Sequence, residues 1–214
     1  MIGIRPASLA VLLSGTGTTL QNLIDRIAAG ELPARIAVVL SSKPGAYGIT
    51  RAQKAGISVE VVNRKEFKDV EVFADAVNAR LEKYDIDLVV LAGYSYLIKL
   101  DKRRSIPAIN IHPALIPAFC GKGYYGDRVH KAVLDYGVRF TGVTVHFVDE
   151  EYDHGPVILQ EPVEVRHGDT VDSLRSRVQQ VEHRLYPTAI KLFAERRLKV
   201  EGRKVVILPR RDKK

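Results

Sequence analysis

The 214 residues contain no tryptophan and a single cysteine, Cys120. One cysteine excludes an intramolecular disulfide and suits a reducing compartment. Cys120 stands in a Gly-rich loop with no partner nearby in sequence, which favours a structural reading over a reactive one. Aromatic residues make up 7% of the chain, and no basic stretch is interleaved with them, so a stacking platform for single-stranded nucleic acid is missing. Long apolar runs are missing as well. The stretch from Met1 to Leu13 stops at Ser14-Gly15, too short to span a bilayer and without a signal-peptide cleavage pattern. No histidine falls in a metal-ligand spacing such as H-E-x-x-H. These absences predict a cytoplasmic protein with no membrane partner, no metal and no disulfide framework.

The net charge is +8, which by itself would suit a nucleic-acid partner. Its distribution argues against one: residues 203–214 carry +5 of it, through Arg203, Lys204, Arg210, Arg211, Lys213 and Lys214 against Asp212. The expected organisation is one domain over residues 1–202 and a solvated basic tail over 203–214.

What is present is a regular alternation of short apolar runs and longer amphipathic stretches. Strands are expected at Ser8–Leu13, Arg35–Leu40, Val59–Val62, Leu88–Leu91 and Ala108–His112, with helices at Thr19 to about Ala29, Tyr47–Ala55 and Glu66–Lys83 between them. Continuously apolar strands separated by helices imply a parallel sheet covered on both faces. Beyond a loop at Phe119–Tyr125, a helix is expected from Asp127 to about Asp135, and two strands at Phe140–Val148 and Val157–Val165, the second antiparallel. A long helix over Val171–Arg196, capped by Asp169-Thr170, and an apolar run at Val205–Leu208 follow. The pattern is that of a single-domain, three-layer, doubly wound, Rossmann-like α/β sheet, mostly parallel with an antiparallel C-terminal strand.

Ligands of such sheets bind beyond the carboxyl ends of the strands, and three groups stand there. Gly15-Thr16-Gly17-Thr18-Thr19 joins the first strand to a helix N-terminus, a place suited to phosphate. It is not a dinucleotide fingerprint, because Leu20 takes the third glycine position and Ser41, Ser42 and Lys43 stand where an acid is needed. A monophosphate fits better. Asn110 and His112 share one face of the fifth strand, an amide able to donate to an oxyanion beside an imidazole able to transfer a proton. The loop Asp149-Glu150-Glu151-Tyr152-Asp153-His154-Gly155-Pro156 is acidic, and an acid reaching His112 would raise its pKa. His146 shares a face with Thr144 and Val148 and reads as core or as support for a site, while His130, His167 and His183 read as surface.

Together these motifs resemble the folate-dependent glycinamide ribonucleotide formyltransferases, within the wider formyltransferase superfamily. The resemblance rests on Ser14 to Gln21, Leu91-Ala92-Gly93-Tyr94, Ile109 to Pro113, Thr141 to Val148, Asp153 to Pro156 and Gln180 to Pro187, and it runs from about Ser8 to Gly202. It implies transfer of a formyl group from 10-formyltetrahydrofolate, as cosubstrate, to the primary amine of glycinamide ribonucleotide in purine biosynthesis, without a metal. It implies His112 as general acid, Asn110 as oxyanion donor and Asp153 as the group that orients His112 or holds it protonated. Gly17, Thr18 and Thr19 would take the substrate phosphate, and Gln179, Gln180, Val181 and Glu182 the ribonucleotide, with Glu182 on the ribose. The folate would lie against Arg64, Ser95, Tyr96, Leu97, Ile98, Asn110 and the loop Asp149, Glu150, Glu151, Tyr152 and Asp153. Thr19 stands where many members have Asn, and Ser95-Tyr96 replace a common Met-Arg pair. Self-association into a homodimer is left open. A formyltetrahydrofolate hydrolase, with water as acceptor, is the nearest rival; a basic RNA-binding protein is the rival from another class.

Overall fold

The computed structural model describes residues 5–99 and 106–210, and the chain groups into two compact units, Met1–Ile109 and Asn110–Lys214. In the first unit, β1 (Ala7–Leu13), β2 (Ala34–Ser41), β3 (Val59–Val61) and β4 (Leu88–Leu91) lie in the order β3-β2-β1-β4, all parallel. Their side chains explain the arrangement. Every residue of β1 and β4 is buried, as expected of strands covered on both faces. Helices α1 (Thr18–Ala28), α2 (Tyr47–Lys54) and α3 (Val70–Leu81) supply the cover, with Leu20 and Leu23 of α1 and Phe73 and Val77 of α3 turned inward. The chain winds outward from β1 to β3, then crosses to β4 on the other side of β1. The loops after β1 and β4 therefore part at the topological switch point, where ligands of such sheets bind.

One helix is shorter than its periodicity predicts. Of the stretch expected as a helix over Glu66–Lys83, only Val70–Leu81 is helical, as α3, while Glu66 closes a 3-10 turn, Arg64–Glu66, that begins before it. Asn63 caps the turn by accepting from the Lys65 N–H, and Asp69 caps α3 by accepting from the N–H groups of Glu71 and Val72. Two capping side chains six residues apart make two starts.

Strand β5 (Ala108–His112) ends in the second unit, which continues with α4 (Asp127–Tyr136), β6 (Phe140–Phe147), β7 (Val157–Glu164), α5 (Val171–Ala194), β8 (Leu198–Glu201) and β9 (Lys204–Ile207). The order there is β5-β6-β7-β9-β8. β6 and β7 pair antiparallel, as expected, with a register shift between Val145 and His146. Helix α5 packs on β6, β7 and α4. Its start is a capping box: Thr170 accepts from the Ser173 N–H, and Ser173 Oγ accepts from the Thr170 N–H. The fold is thus a mostly parallel α/β arrangement with antiparallel strands at its C-terminal end.

Part of the expected basic tail is a strand. Lys204–Ile207 pairs antiparallel with β8, a strand the sequence pattern does not announce, and β9 also meets β7 through Val157 and Lys204. Arg211, Lys213 and Lys214 lie outside the described residues. Among the described residues no helix is long and apolar enough to cross a membrane.

Candidate active site

A polar cluster is built on the ends of β5 and β6 and the loop after β6. Asp153 is its hub. Its Oδ1 accepts from Asn110 Nδ2 at 3.2 Å, and its Oδ2 accepts from the Gly121 N–H at 2.9 Å and stands 3.5 Å from His112 Nδ1. The other ring nitrogen, His112 Nε2, lies 2.9 Å from the carbonyl oxygen of Phe119. Asn110, His112 and Asp153 are thereby brought together, the carboxylate from a loop some forty residues after the strand. Asp153 and Phe119 both sit in the left-handed region, at φ 53° and 50°, where only close support holds a residue other than glycine.

Local packing explains why the chain turns back here. A Cβ on Gly155 would stand 1.9 Å from the Phe147 carbonyl oxygen, so only glycine lets the loop return against the end of β6. The Phe147 N–H then donates to the Pro156 carbonyl at 2.9 Å and closes the turn. On β6, the alternate residues Gly142, Thr144 and His146 face the segment after β5. A Cβ on Gly142 would meet Leu115 Cδ2 at 2.5 Å. Thr144 Oγ1 donates to the Ala114 carbonyl at 2.7 Å and accepts from the Ile116 N–H at 3.1 Å and from Gln160 Nε2 at 3.0 Å. His146 Nε2 lies 3.3 Å from Asn110 Nδ2.

The electrostatics differ in one respect from the expectation. Asp153 does reach His112, but burial outweighs it and pushes the imidazole below its ordinary pKa; the Asp153 charge and the Phe119 carbonyl act in the opposite direction. Nδ1 faces a carboxylate and Nε2 a carbonyl, both acceptors, so only the imidazolium satisfies the two at once. For Asp153 itself, burial works against the charge. The His112 ring and the Gly121 N–H counter it and hold the carboxyl below the usual range. Burial, then the Asp153 charge, pushes the Cys120 thiol up, which keeps it protonated and a poor nucleophile.

The remaining predicted residues fall in two further places. In the first unit, Gly17 (φ 72°) is the N-cap of α1 and offers no side-chain acceptor, with Thr18 and Thr19 in the first turn. The loop is braced from α2: the Gly48 N–H donates to the Gly15 carbonyl at 3.1 Å, and Arg51 Nε donates to the Thr16 carbonyl at 3.0 Å. Gly48 is buried against Leu13 with no room for a Cβ, a requirement the sequence reading overlooked. Across the switch point, Ser14 Oγ accepts from the Ser95 N–H at 3.0 Å and bonds Ser42 Oγ at 2.6 Å. The Arg64 guanidinium stacks 5.4 Å from the Phe73 ring centre and 5.8 Å from that of Tyr96. Arg64, Ser95 and Tyr96 are therefore neighbours; Leu97 is half-buried and Ile98 is buried.

In the second unit, Gln179, Gln180, Val181 and Glu182 occupy consecutive positions of α5, and burial raises the Glu182 carboxyl to about 7. Asp149, Glu150, Glu151 and Tyr152 lead into Asp153. Asp149 Oδ2 lies 2.7 Å from His154 Nδ1, whose ring and carbonyl are held in turn by Arg203. Of the histidines expected at the surface, His167 is exposed, but His130 is 3% exposed on α4, where burial lowers its pKa. Its position on the inward face beside Val129 and Val133 is the signal that spacing offered. Among the described residues no group of three or more His, Cys, Asp or Glu side chains is placed to hold a metal ion.

Comparison with known proteins bears on this site directly. The formyl transferase family model matches residues 7–190. The phosphoribosylglycinamide formyltransferase of Haemophilus influenzae is 38% identical over 195 residues, which cover 90% of this chain and 90% of the relative. The trifunctional purine biosynthetic protein adenosine-3 of Bos taurus is 42% identical over 192 residues, and there the matched part is 89% of this chain but 18% of the relative's length. Among solved structures, glycinamide ribonucleotide transformylase 1 from Symbiobacterium toebii superposes with a TM-score of 0.88 at 43% identity, covering 96% of this chain and 95% of that one. With the matched family model spanning the Asn110, His112 and Asp153 cluster and both units, the chain belongs to the formyl transferase family.

Proposed function

We propose that the chain transfers the formyl group of 10-formyltetrahydrofolate to the primary amine of 5'-phosphoribosylglycinamide, giving formylglycinamide ribonucleotide and tetrahydrofolate. The observation that carries this reading is the convergence of Asp153 on both Asn110 and His112 in a member of this family. The nitrogen of the amine bonds to the formyl carbon, the bond from that carbon to the folate nitrogen breaks, and the amine's proton passes to the departing nitrogen. Negative charge develops on the formyl oxygen meanwhile. His112, paired with Asp153, lends a proton to that oxygen and takes it back as the C=O bond re-forms, and Asn110 lies beside it on the same strand face. Much of the acceleration comes from holding amine and formyl carbon together.

In this reading Gly17, Thr18 and Thr19 take the substrate phosphate at the start of α1, where helix N–H groups and the dipole favour an anion. Gln179 to Glu182 take the ribonucleotide. Arg64, Ser95 to Ile98 and the loop from Asp149 to Asp153 take the folate. The formyltransferase activity is assigned to residues 1–202.

The test is formyl transfer measured with the ribonucleotide amine and with water as acceptor. Formylated amine should form at a rate far above that of formate release, and His112→Ala and Asp153→Ala should each lower kcat about a hundredfold or more. Equal formate release without the amine would assign the chain to the hydrolases instead.

A further inference from the structure

We infer that His146 is a positioning residue that fixes which end of the Asn110 side-chain amide faces Asp153. His146 is 1% exposed, and its Nδ1 lies 2.7 Å from the carbonyl oxygen of Phe147. A carbonyl only accepts, so Nδ1 carries the hydrogen. In the neutral ring Nε2 is then a bare acceptor, and it lies 3.3 Å from Asn110 Nδ2. The same Nδ2 donates to Asp153 Oδ1 at 3.2 Å. His146 Nε2 and Asp153 Oδ1 are 3.7 Å apart, too far for a hydrogen bond, and stand side by side on the same side of the amide NH2, one within reach of each hydrogen. An amide so held has both hydrogens engaged, and its carbonyl oxygen must turn the other way.

The consequence concerns the reaction proposed above, on which the functional part of the inference rests. In the free protein Asn110 presents Oδ1, not NH2, to the side away from Asp153. It is thereby set to accept from the incoming amine before any donation to an oxyanion. The Asp153 carboxylate alone would hold one hydrogen and leave the amide free to swing.

Two measurements test this. The first needs no activity: ring nitrogen shifts of His146 in the isotope-labelled full chain. A hydrogen on Nδ1 with a bare Nε2 is expected; a hydrogen on Nε2, or on both nitrogens in an ion pair with Asp153, overturns the inference. The second compares two isosteres. His146→Gln places an acceptor near the position of Nε2, whereas His146→Asn keeps a donor to the Phe147 carbonyl and loses the acceptor. His146→Asn is expected to lower kcat about tenfold to a hundredfold with little change in KM, while His146→Gln recovers most of that loss. Equal kcat in the two variants, or losses that follow their melting temperatures, would reduce His146 to a core residue. A wild-type chain inactive in formyl transfer would remove the proposed reaction and leave the ring measurement to decide the placement of Asn110.

Discussion

His112 Nδ1 stands 3.5 Å from Asp153 Oδ2, while its Nε2 lies 2.9 Å from the Phe119 carbonyl oxygen. The ring, 3% exposed, is thus gripped between a charge and a backbone dipole. Burial lowers its pKa and Asp153 raises it, so removing the charge leaves burial with less opposition. Asp153→Asn is expected to move the His112 pKa further down, followed by the ring proton and carbon shifts across pH 4–8. An unchanged or higher value would mean that the contact carries no charge coupling.

The Glu182 carboxyl, raised by burial from 4.5 to about 7, keeps its proton in the folded chain where the unfolded chain has lost it. Between these pKa values the folded state binds more protons, so stability falls as pH rises from 4.5 to 7 and levels off above. His112 and His130 act in the opposite sense. Burial lowers both below 6.5, so the unfolded chain takes protons first and stability is lost as pH falls below 6.5. Urea denaturation at several pH values separates the two. Glu182→Gln should gain stability relative to wild type from pH 4.5 to 7 and hold the gain at pH 8. A difference that does not vary with pH would refute the raised carboxyl.

Gly155 leaves no space for a side chain, with the Phe147 carbonyl oxygen 1.9 Å from the position of a Cβ. Gly155→Ala must push the loop off the end of β6 and carry Asp153 with it. It is expected to destabilise the chain by about 1–3 kcal/mol and to lower kcat alongside Asp153→Ala. Wild-type stability in chemical denaturation would contradict the close approach.

Arg203 reaches the same loop from the hairpin of β8 and β9, donating to His154 Nε2 at 3.1 Å and to the His154 carbonyl at 2.6 Å. His154 Nδ1 in turn lies 2.7 Å from Asp149 Oδ2, which ties the two ends of the loop around Asp153. These groups are largely exposed, so Arg203→Ala should change the unfolding free energy by less than about 1 kcal/mol. Its effect belongs in binding: KM for the formyl folate should rise about fivefold, the equivalent of roughly 1 kcal/mol, and less so at high salt. An unaltered KM at low salt would leave the basic segment without a part in the site.

Elements with strong local signals were legible in the chain itself. β4 and β5 occupy the residues their apolar runs mark, and α1, α2 and α4 agree with their periodic patterns to within a residue or so at each end. The exceptions have local physical causes. Asn63 and Asp69 cap separate turns, so the expected helix starts only at Val70. β8, with Lys199 and Glu201 flanking Val200, is exposed and carries no buried pattern to read. The motif residues Asn110, His112 and Asp153 were legible as residue types at strand ends, but their contact was not.

The sequence by itself determined the β-α alternation, the glycine turn before α1, the shared face of Asn110 and His112, and the membership that the motifs imply. The first three follow from local rules: strand period, helix period, and the backbone freedom of glycine; the membership rests on the likeness of the motifs to those of a family. Tertiary structure alone decided that Asp153 joins Asn110 to His112 and that burial leaves His112 below its ordinary pKa. It also decided that His146 lies against the Asn110 amide, and that Arg203 of the expected tail braces the loop carrying Asp153. These depend on distances between residues far apart in the chain and on how much water the fold excludes from them, and neither quantity is written in local spacing.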